Sequence, residues 1–140
     1  MKKLIIHLDG ASRGNPGPAG IGIVISDEKG KIISQINEYI GEVTNNVAEY
    51  LALIRALKEI SGLAGKRFSG LAVKFYLDSE LLVNQINGLY RTKDKNLFNL
   101  LQQVRKLISN FQKVEFQYIP REENKLADKL ANRAINLAVL

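Results

Sequence analysis

Short apolar runs separated by glycine-rich turns occupy the first third of the chain. Such runs are typical of β-strands, and here they cover residues 3–9, 20–26 and 31–42. The Gly- and Pro-rich stretch 10–18 predicts a turn, and residues 27–30 predict a hairpin in which Gly30 has a positive φ. The pattern therefore predicts an antiparallel meander of three strands.

Apolar residues recur every three or four positions in much of the remaining chain, which is typical of amphipathic helices. The predicted helices cover residues 46–63, 79–87, 96–110 and 124–139, and the predicted strands cover residues 71–77 and 114–118. Asn46 is the expected N-cap of the first helix, which places Glu49 at the third helical position. The order βββαβααβα predicts an α/β fold, with a mixed sheet and helices on both faces.

The length and composition are those of one globular domain, which we expect to span residues 1–140. The chain has no cysteine, so disulfide bonds and thiolate-bound zinc are excluded. No apolar run approaches the roughly 20 residues needed to cross a bilayer, and the N-terminal run is too short for a signal peptide. We therefore expect a free-standing cytoplasmic protein with no membrane contact.

The net charge of the chain is +6, and its isoelectric point is near 9.6. A basic protein favours polyanionic partners, because binding to phosphates releases condensed counterions. Charge alone is weak evidence, but here several conspicuous acidic residues lie within a basic chain. A nuclease needs this combination, with carboxylates that bind metal at the scissile phosphate and cations along the flanking backbone.

Four acidic residues occupy strand ends or helix faces that should be apolar: Asp9, Glu49, Asp78 and Asp128. Asp9 and Asp78 each close an apolar run. Glu49 leads the helical stripe that should pack on the sheet, formed by Ala52, Leu53, Ala56, Leu57 and Ile60. Each acid also has a simpler interpretation. Glu49 fits a capping box and Asp78 fits a helix N-cap. Asp9 fits an ordinary turn, and Asp128 fits a solvated helical face.

The four acids are easier to explain together than one by one. If the strands 3–9 and 71–77 are parallel neighbours, Asp9 and Asp78 lie side by side at the carboxyl edge of the sheet, where ligands gather in α/β folds. Converging carboxylates repel one another unless a cation is present. Oxygen ligands without accompanying His or Cys select Mg²⁺ or Mn²⁺, and two such ions can assist an in-line phosphoryl displacement.

Four motifs, in this order and spacing, make the whole chain closely resemble type-1 ribonuclease H. They are Asp9-Gly10-Ala11-Ser12 with Gly14-Asn15-Pro16-Gly17, Thr44-Asn45-Asn46 followed by Glu49, Asp78-Ser79, and Asn124 followed by Ala127-Asp128. The resemblance implies a ribonuclease H-like fold with a five-stranded mixed sheet flanked by helices. It also implies hydrolysis of the RNA strand of RNA/DNA hybrids, giving 5′-phosphate and 3′-hydroxyl ends.

The resemblance further implies a role for individual residues. Asp9, Glu49, Asp78 and Asp128 match the acids that bind two Mg²⁺ or Mn²⁺ ions, with Asp9 in contact with both. The substrate-binding residues that it implies are Gly10, Ser12, Asn15, Thr44, Asn45 and Asn46. The three asparagines match contacts to the minor groove, where small neutral side chains suit a 2′-hydroxyl. Thr44 matches a contact to the DNA phosphate. Asn15 and Asn46 also fit turn and N-cap chemistry.

Three departures from the family pattern stand out. Many relatives have a histidine in the loop before the last acid, whereas this loop offers Arg121, Glu122 and Glu123 as candidates for an accessory role. His7 shares the face of Asp9 on the first strand, but we expect a packed strand residue rather than a ligand. The segment after Asp78 is short, and its only basic residues before the next helix are Arg91, Lys93 and Lys95. We also expect no additional N-terminal hybrid-binding domain. Binding of the hybrid should therefore be modest and strongly salt-dependent.

Two alternatives to a hybrid-specific ribonuclease remain open from the sequence. One is a related nuclease of the same superfamily that acts on DNA or double-stranded RNA. The other is a non-catalytic module that binds nucleic acid. All four acids are present, which favours an enzyme over such a module. We expect a monomer whose partner is an RNA/DNA hybrid, with double-stranded RNA as a second candidate.

Overall fold

The computed structural model describes residues 3–64 and 72–140, and a five-stranded sheet forms its centre. The strands are β1 (Lys3–Ser12), β2 (Gly17–Asp27), β3 (Ile32–Val43), β4 (Ala72–Leu77) and β5 (Lys113–Tyr118). Their spatial order is β3-β2-β1-β4-β5. The first three strands are antiparallel, whereas β4 runs parallel to both β1 and β5. This confirms the predicted meander and the predicted parallel pairing of β1 with β4.

Helices cover both faces of the sheet. They are α1 (Asn45–Ala64), α2 (Glu80–Ile86), α3 (Lys95–Ile108) and α4 (Lys125–Ala138), and a short 3-10 turn (Arg121–Glu123) precedes α4. Helix α1 packs on β1, β2 and α3, whereas α4 packs on β2, β3 and β1. The arrangement confirms the predicted mixed sheet flanked by helices. In the part of the chain described here, no helix combines the length and apolar character that a membrane span requires.

The main core lies between the sheet and α1. Alternate residues of β1 and β4 point into it, and the predicted stripe of α1 is fully buried against them. The buried residues of the stripe are Ala52, Leu53, Ala56, Leu57 and Ile60. Full burial of a Leu or Ile side chain contributes about 1.5–3 kcal/mol, so this stripe fixes α1 on the sheet. Glu49, one turn before the stripe, is thereby held at the end of β1.

Two glycines bring α4 close to the opposite face of the sheet. A Cβ at Gly22 would overlap the backbone of Ala127, and one at Gly20 would overlap the backbone of Ala131. Helix α4 buries a stripe of small and apolar residues against β2: Ala127, Leu130, Ala131, Ala134 and Ile135. This close approach sets the position of Asp128 on the first turn of α4.

The structure corrects both boundaries of the turn predicted between the first two strands. The predicted turn 10–18 is shorter, because β1 continues to Ser12 and β2 already begins at Gly17. Ladder pairing explains the extension, since Ser12 pairs with Ala19 and this pairing outweighs the local turn preference of glycine. Residue 71 of the predicted strand 71–77 lies outside the described residues. The predicted hairpin is confirmed, with Gly30 at φ +85°.

The N-cap assigned to the first helix was wrong. Helix α1 begins at Asn45, and the amide of Val47 donates to Thr44 Oγ1 at 3.3 Å. Thr44 is therefore the capping residue, and Asn46 lies within the first turn. Consequently Glu49 is not at the third helical position, and the capping-box interpretation of Glu49 does not hold.

Candidate metal centre

The parallel pairing of β1 and β4 places two of the predicted acids side by side. Leu8 pairs with Leu77 in the ladder, so Asp9 and Asp78 both follow at the carboxyl edge of the sheet. Asp9 is only 3% exposed, and Asp78 is half-buried. Two carboxylates are thus held close together in a region from which water is largely excluded.

Glu49 reaches the same edge because α1 starts very near β1. A Cβ at Gly10 would overlap the backbone of Ala48, so the absence of a side chain there allows the first turn of α1 to approach. Glu49 is 8% exposed. Asp9, Glu49 and Asp78 each contribute a carboxylate oxygen to a group in which these atoms lie within 4.8 Å of one another. The structure therefore brings three of the four predicted acids together.

Ser79, rather than Asp78, caps helix α2. The amide of Leu82 donates to Ser79 Oγ at 3.2 Å, so the N-cap interpretation of Asp78 was wrong. The Ser79 hydroxyl also donates to the carboxylate of Glu49. Asp78 is consequently free to turn toward Asp9, and Ser79 fixes the side chain of Glu49.

The surroundings of Asp9 strongly oppose a negative charge. Burial is the main cause, and the charge of Asp78, a hydrogen bond with Asp128 and the charge of Glu49 add to it, which together raise the pKa of Asp9 to about 9. Asp9 Oδ2 is buried, and no group among the described residues donates a hydrogen bond to it. A divalent cation would supply this oxygen with a partner and favour the ionised form. The donor set of hard carboxylate oxygens therefore fits such an ion.

The pKa of Glu49 is also raised, to about 7. Burial is the largest cause, and the charge of Asp78 acts in the same direction. The hydrogen bond from Ser79 and the positive charge of Arg121 oppose this shift. Arg121 is exposed in the 3-10 turn before α4, so its guanidinium acts on Glu49 from the rim of the site.

Asp128 approaches the cluster from the opposite face of the sheet. It is half-buried on the first turn of α4, and its hydrogen bond with Asp9 is one of the causes that raise the pKa of Asp9. The structure thus places Asp128 beside Asp9, next to the group of three oxygens formed by Asp9, Glu49 and Asp78. The solvated-face interpretation of Asp128 does not describe this position.

Sequence reasoning missed the contribution of Asn124. This side chain is 1% exposed, and its Nδ2 donates to the Leu8 carbonyl at 2.9 Å and to Asp78 Oδ2 at 3.1 Å. The backbone carbonyl oxygen of Asn124 accepts the amide of Asp128 at 3.1 Å. Asn124 therefore joins the segments that carry three of the acids. The available signal was its place in the motif of Asn124 followed by Ala127-Asp128, which did not indicate a contact with Leu8 or Asp78.

Two of the predicted substrate-binding residues hold the β1–β2 loop. Ser12 Oγ lies 2.7 Å from the Val43 carbonyl, 2.5 Å from that of Gly14 and 3.2 Å from that of Gly17. The amide of Ser12 also donates to Asn45 Oδ1 at 3.3 Å. These bonds fix the loop against the start of α1, so both residues have a structural role.

The remaining predicted contacts differ in exposure. The side chains of Asn15 and Asn46 are exposed, in the β1–β2 loop and the first turn of α1. Thr44 is half-buried as the N-cap of α1. Gly10 has no side chain to offer, and its role in the structure is the close approach of α1 described above.

His7 and Glu123 lie away from the three-oxygen group. The ring of His7 stacks on Tyr76 with centroids 4.9 Å apart, and burial lowers the pKa of His7. This packing agrees with the expected strand role. Glu123 is exposed in the 3-10 turn and lines, with His7 and Tyr76, a groove of about 870 Å³ on the sheet face beside α4.

Comparison with known proteins gives a consistent picture. The family described as Reverse transcriptase-like matches residues 7–134. The ribonuclease H of Syntrophomonas wolfei is 33% identical over an alignment of 151 positions, which covers 96% of this chain and 97% of that protein. The bifunctional protein Rv2228c of Mycobacterium tuberculosis is 38% identical over 137 residues, which cover 97% of this chain. The chain spans only 36% of the length of Rv2228c and of two other mycobacterial relatives.

Solved structures extend the similarity to three dimensions. LC11-RNase H1, isolated from compost by a metagenomic approach, has a TM-score of 0.95 and 45% identity over the whole of both chains. A structure of LC11-RNase H1 in complex with an RNA/DNA hybrid has a TM-score of 0.94 and 44% identity, over 98% of this chain and 99% of that one.

Proposed function

Because the chain belongs to the type-1 ribonuclease H family, we propose that it hydrolyses the RNA strand of RNA/DNA hybrids. The products carry 5′-phosphate and 3′-hydroxyl ends. One observation carries the proposal: oxygens of Asp9, Glu49 and Asp78 lie within 4.8 Å of one another, and buried Asp9 Oδ2 has no hydrogen-bond donor among residues 3–64 and 72–140. Such an arrangement is costly without a cation. All four acids come from one chain, so a monomer is sufficient.

Asp9, Glu49, Asp78 and Asp128 would hold the divalent ions, with Asp9 shared between two of them. Magnesium or manganese fits best, because every candidate ligand is a hard oxygen. When bound, such ions activate the attacking water and stabilise the leaving oxygen of an in-line displacement. The chain's own residues position the acids. Ser79 orients Glu49, and Asn124 holds Asp78 against the end of β1.

The hybrid would bind along the surface beside the acids. The exposed side chains of Asn15 and Asn46 lie on two segments that flank the cluster, and the hydrogen bond from Ser12 to Asn45 joins these segments. Their amides can both donate to and accept from a 2′-hydroxyl, which distinguishes RNA from DNA. The hybrid complex of LC11-RNase H1, which has nearly the same fold as this chain, supports an RNA/DNA hybrid as the partner.

Arg121 is the accessory residue that we favour in the loop before α4. Its positive charge opposes the raised pKa of Glu49, so it keeps that carboxyl closer to its ionised form. It would also attract the phosphate backbone at the rim of the site. Glu123, the other candidate, lies on the groove side of the turn and has a weaker case.

A side-by-side digestion tests the proposal. Labelled RNA/DNA hybrid, duplex RNA and duplex DNA are incubated with the protein and Mg²⁺ or Mn²⁺, for wild type, Asp9→Asn and Asp94→Asn. Asp94 caps α3 through Leu97, so the same chemical change there is a matched control. We expect cleavage of the hybrid only, at least about a hundredfold slower in Asp9→Asn and unchanged in Asp94→Asn.

Hydrolysis in EDTA, or an Asp9→Asn variant as active as wild type, would refute the mechanism. Preferential cleavage of duplex RNA or DNA would refute the assigned substrate.

A further inference from the structure

We infer that Asn132 is a positioning residue for Asp128, and that Arg13 links this positioning to the β1–β2 loop. The inference rests on the proposed function, because it concerns the acid that approaches the metal centre from α4. Asp128 is the only one of the four acids carried by the helix on the far face of the sheet. Its carboxylate therefore needs a separate constraint to stay directed at Asp9.

Asn132 supplies that constraint from one turn further along α4. Its Nδ2 lies 3.2 Å from Asp128 Oδ1 and 3.0 Å from the Asp128 carbonyl. The two hydrogens of one amide group are thus directed at Asp128, and they restrict its side-chain rotamer. The donor is neutral, so it orients the carboxylate without neutralising the charge that a metal ion requires. A Lys or Arg at this position would instead compete with the ion.

Arg13 fixes which way the Asn132 amide points. Arg13 Nη2 lies 3.4 Å from Asn132 Oδ1 and 3.3 Å from the Asn132 carbonyl, and 2.5 Å from Asn136 Oδ1. A guanidinium only donates hydrogen bonds, so it selects the oxygen of Asn132. The NH₂ group of Asn132 is left facing Asp128. The order of donors and acceptors from Arg13 to Asp128 is therefore determined.

The other end of this chain of contacts is the loop that carries Asn15. The Arg13 amide donates to the Pro18 carbonyl at 2.9 Å, and Ser12 Oγ contacts the Gly14 carbonyl at 2.5 Å. Asn15 is two residues after Arg13 in this braced loop. A displacement of the loop would move the Arg13 guanidinium and with it the amide that holds Asp128. Loop position and carboxylate position are thereby linked.

Calorimetric titration with Mn²⁺ tests the inference without substrate, and hydrolysis of the hybrid provides kcat and KM. In Asn132→Ala we expect Mn²⁺ affinity to fall about tenfold, as for other residues that orient metal ligands. We expect kcat to fall by a similar factor, with KM for the hybrid unchanged. Alanine favours a helix interior, so thermal unfolding should stay near that of wild type. Asn132→Leu, which has a similar size but removes the donor without adding a charge, should lose a similar amount of affinity. Arg13→Met should show a smaller loss of the same kind.

Asn136→Ala is the matched control, because it removes a partner of Arg13 while both contacts from Asn132 to Asp128 remain. It should bind Mn²⁺ within about twofold of wild type. Equal losses in Asn136→Ala and Asn132→Ala would overturn the inference, and so would wild-type Mn²⁺ affinity in Asn132→Ala. If wild type bound Mn²⁺ but left the hybrid intact, the proposed function would fail, while the affinities would still decide the role of Asn132.

Discussion

The side-chain amide of Asn124 lies 3.1 Å from Oδ2 of Asp78 and donates a hydrogen bond to it. The same nitrogen donates to the carbonyl of Leu8, the residue before Asp9, at 2.9 Å. One buried amide therefore connects the ends of the two strands that carry Asp9 and Asp78. Since it is neutral, it holds these carboxylates in place without adding a charge to the centre.

Replacing Asn124 with Asp should damage both stability and activity. The variant is nearly isosteric, but it exchanges the donor for a carboxylate that faces Asp78 and the Leu8 carbonyl. We expect the free energy of unfolding to fall by about 1–3 kcal/mol and hybrid cleavage to slow at least about tenfold. Asn110→Asp makes the same change at an exposed position and should be neutral in both. Unfolding curves and initial rates that match wild type in Asn124→Asp would contradict the role given to this amide.

The metal-free protein should become less stable as the pH rises. The pKa of Asp9 in the folded state is about 9, against an ordinary value of 3.8. Between these values the folded protein binds a proton that the unfolded chain has released, so the free energy of unfolding decreases with increasing pH. Glu49 contributes in the same direction between 4.5 and about 7. Thermal unfolding in EDTA from pH 5 to 9 measures this slope.

Asp9→Asn should flatten that slope, because the amide does not titrate. At pH 8 in EDTA its Tm should exceed that of wild type by at least about 4 °C, which corresponds to ~1 kcal/mol. Asp94→Asn should retain the wild-type slope. Added Mg²⁺ should stabilise wild type more at pH 8 than at pH 5, because it binds the ionised carboxylate. A wild-type slope in Asp9→Asn would show that other groups govern the pH dependence.

Arg121→Ala should raise the pH at which activity appears. Loss of the guanidinium removes a charge that opposes the raised pKa of Glu49, so the acid limb of the kcat/KM profile should move to higher pH. Arg121→Lys should keep a pH profile close to that of wild type, because it keeps the positive charge. Glu122→Ala and Glu123→Ala change the same turn and serve as comparisons. If all three alanine variants had wild-type profiles and turnover, no residue of this loop would have an accessory role.

Local rules were sufficient to predict where Asp9, Glu49 and Asp78 meet. Asp9 and Asp78 follow apolar strands, and the carboxyl ends of parallel neighbours share one edge. Glu49 was predicted from helical spacing, since the stripe after it had to face the sheet. Both inferences depend on periodicity, which a single sequence displays.

The parts that sequence could not supply depend on tertiary contacts or on choices between equivalent residues. Thr44, Asn45 and Asn46 are all good N-cap residues, so their sequence did not identify Thr44 as the cap. Asn124 bonds with Leu8 and Asp78, which are 116 and 46 residues away. No local pattern reports such a contact. The extension of β1 through Ser12 likewise arises from pairing with β2.

Gly10→Ala should separate Glu49 from Asp9. The added Cβ would overlap the backbone of Ala48 and lie 2.5 Å from the Glu49 amide nitrogen, so the first turn of α1 must move away from β1. Forced repacking of this kind costs about 1–3 kcal/mol, and a displacement near 1 Å can slow catalysis about a hundredfold. Mn²⁺ affinity should fall as well, since one of the three clustered carboxylates is displaced. Gly62→Ala is a control of opposite sign: Gly62 lies in the same helix, and a Cβ there meets no atom within 4 Å. Because alanine is the better helix former, Gly62→Ala should gain roughly 0.5–1 kcal/mol with unchanged activity. A Gly10→Ala protein with wild-type Mn²⁺ affinity and turnover would show that Glu49 does not depend on this close approach.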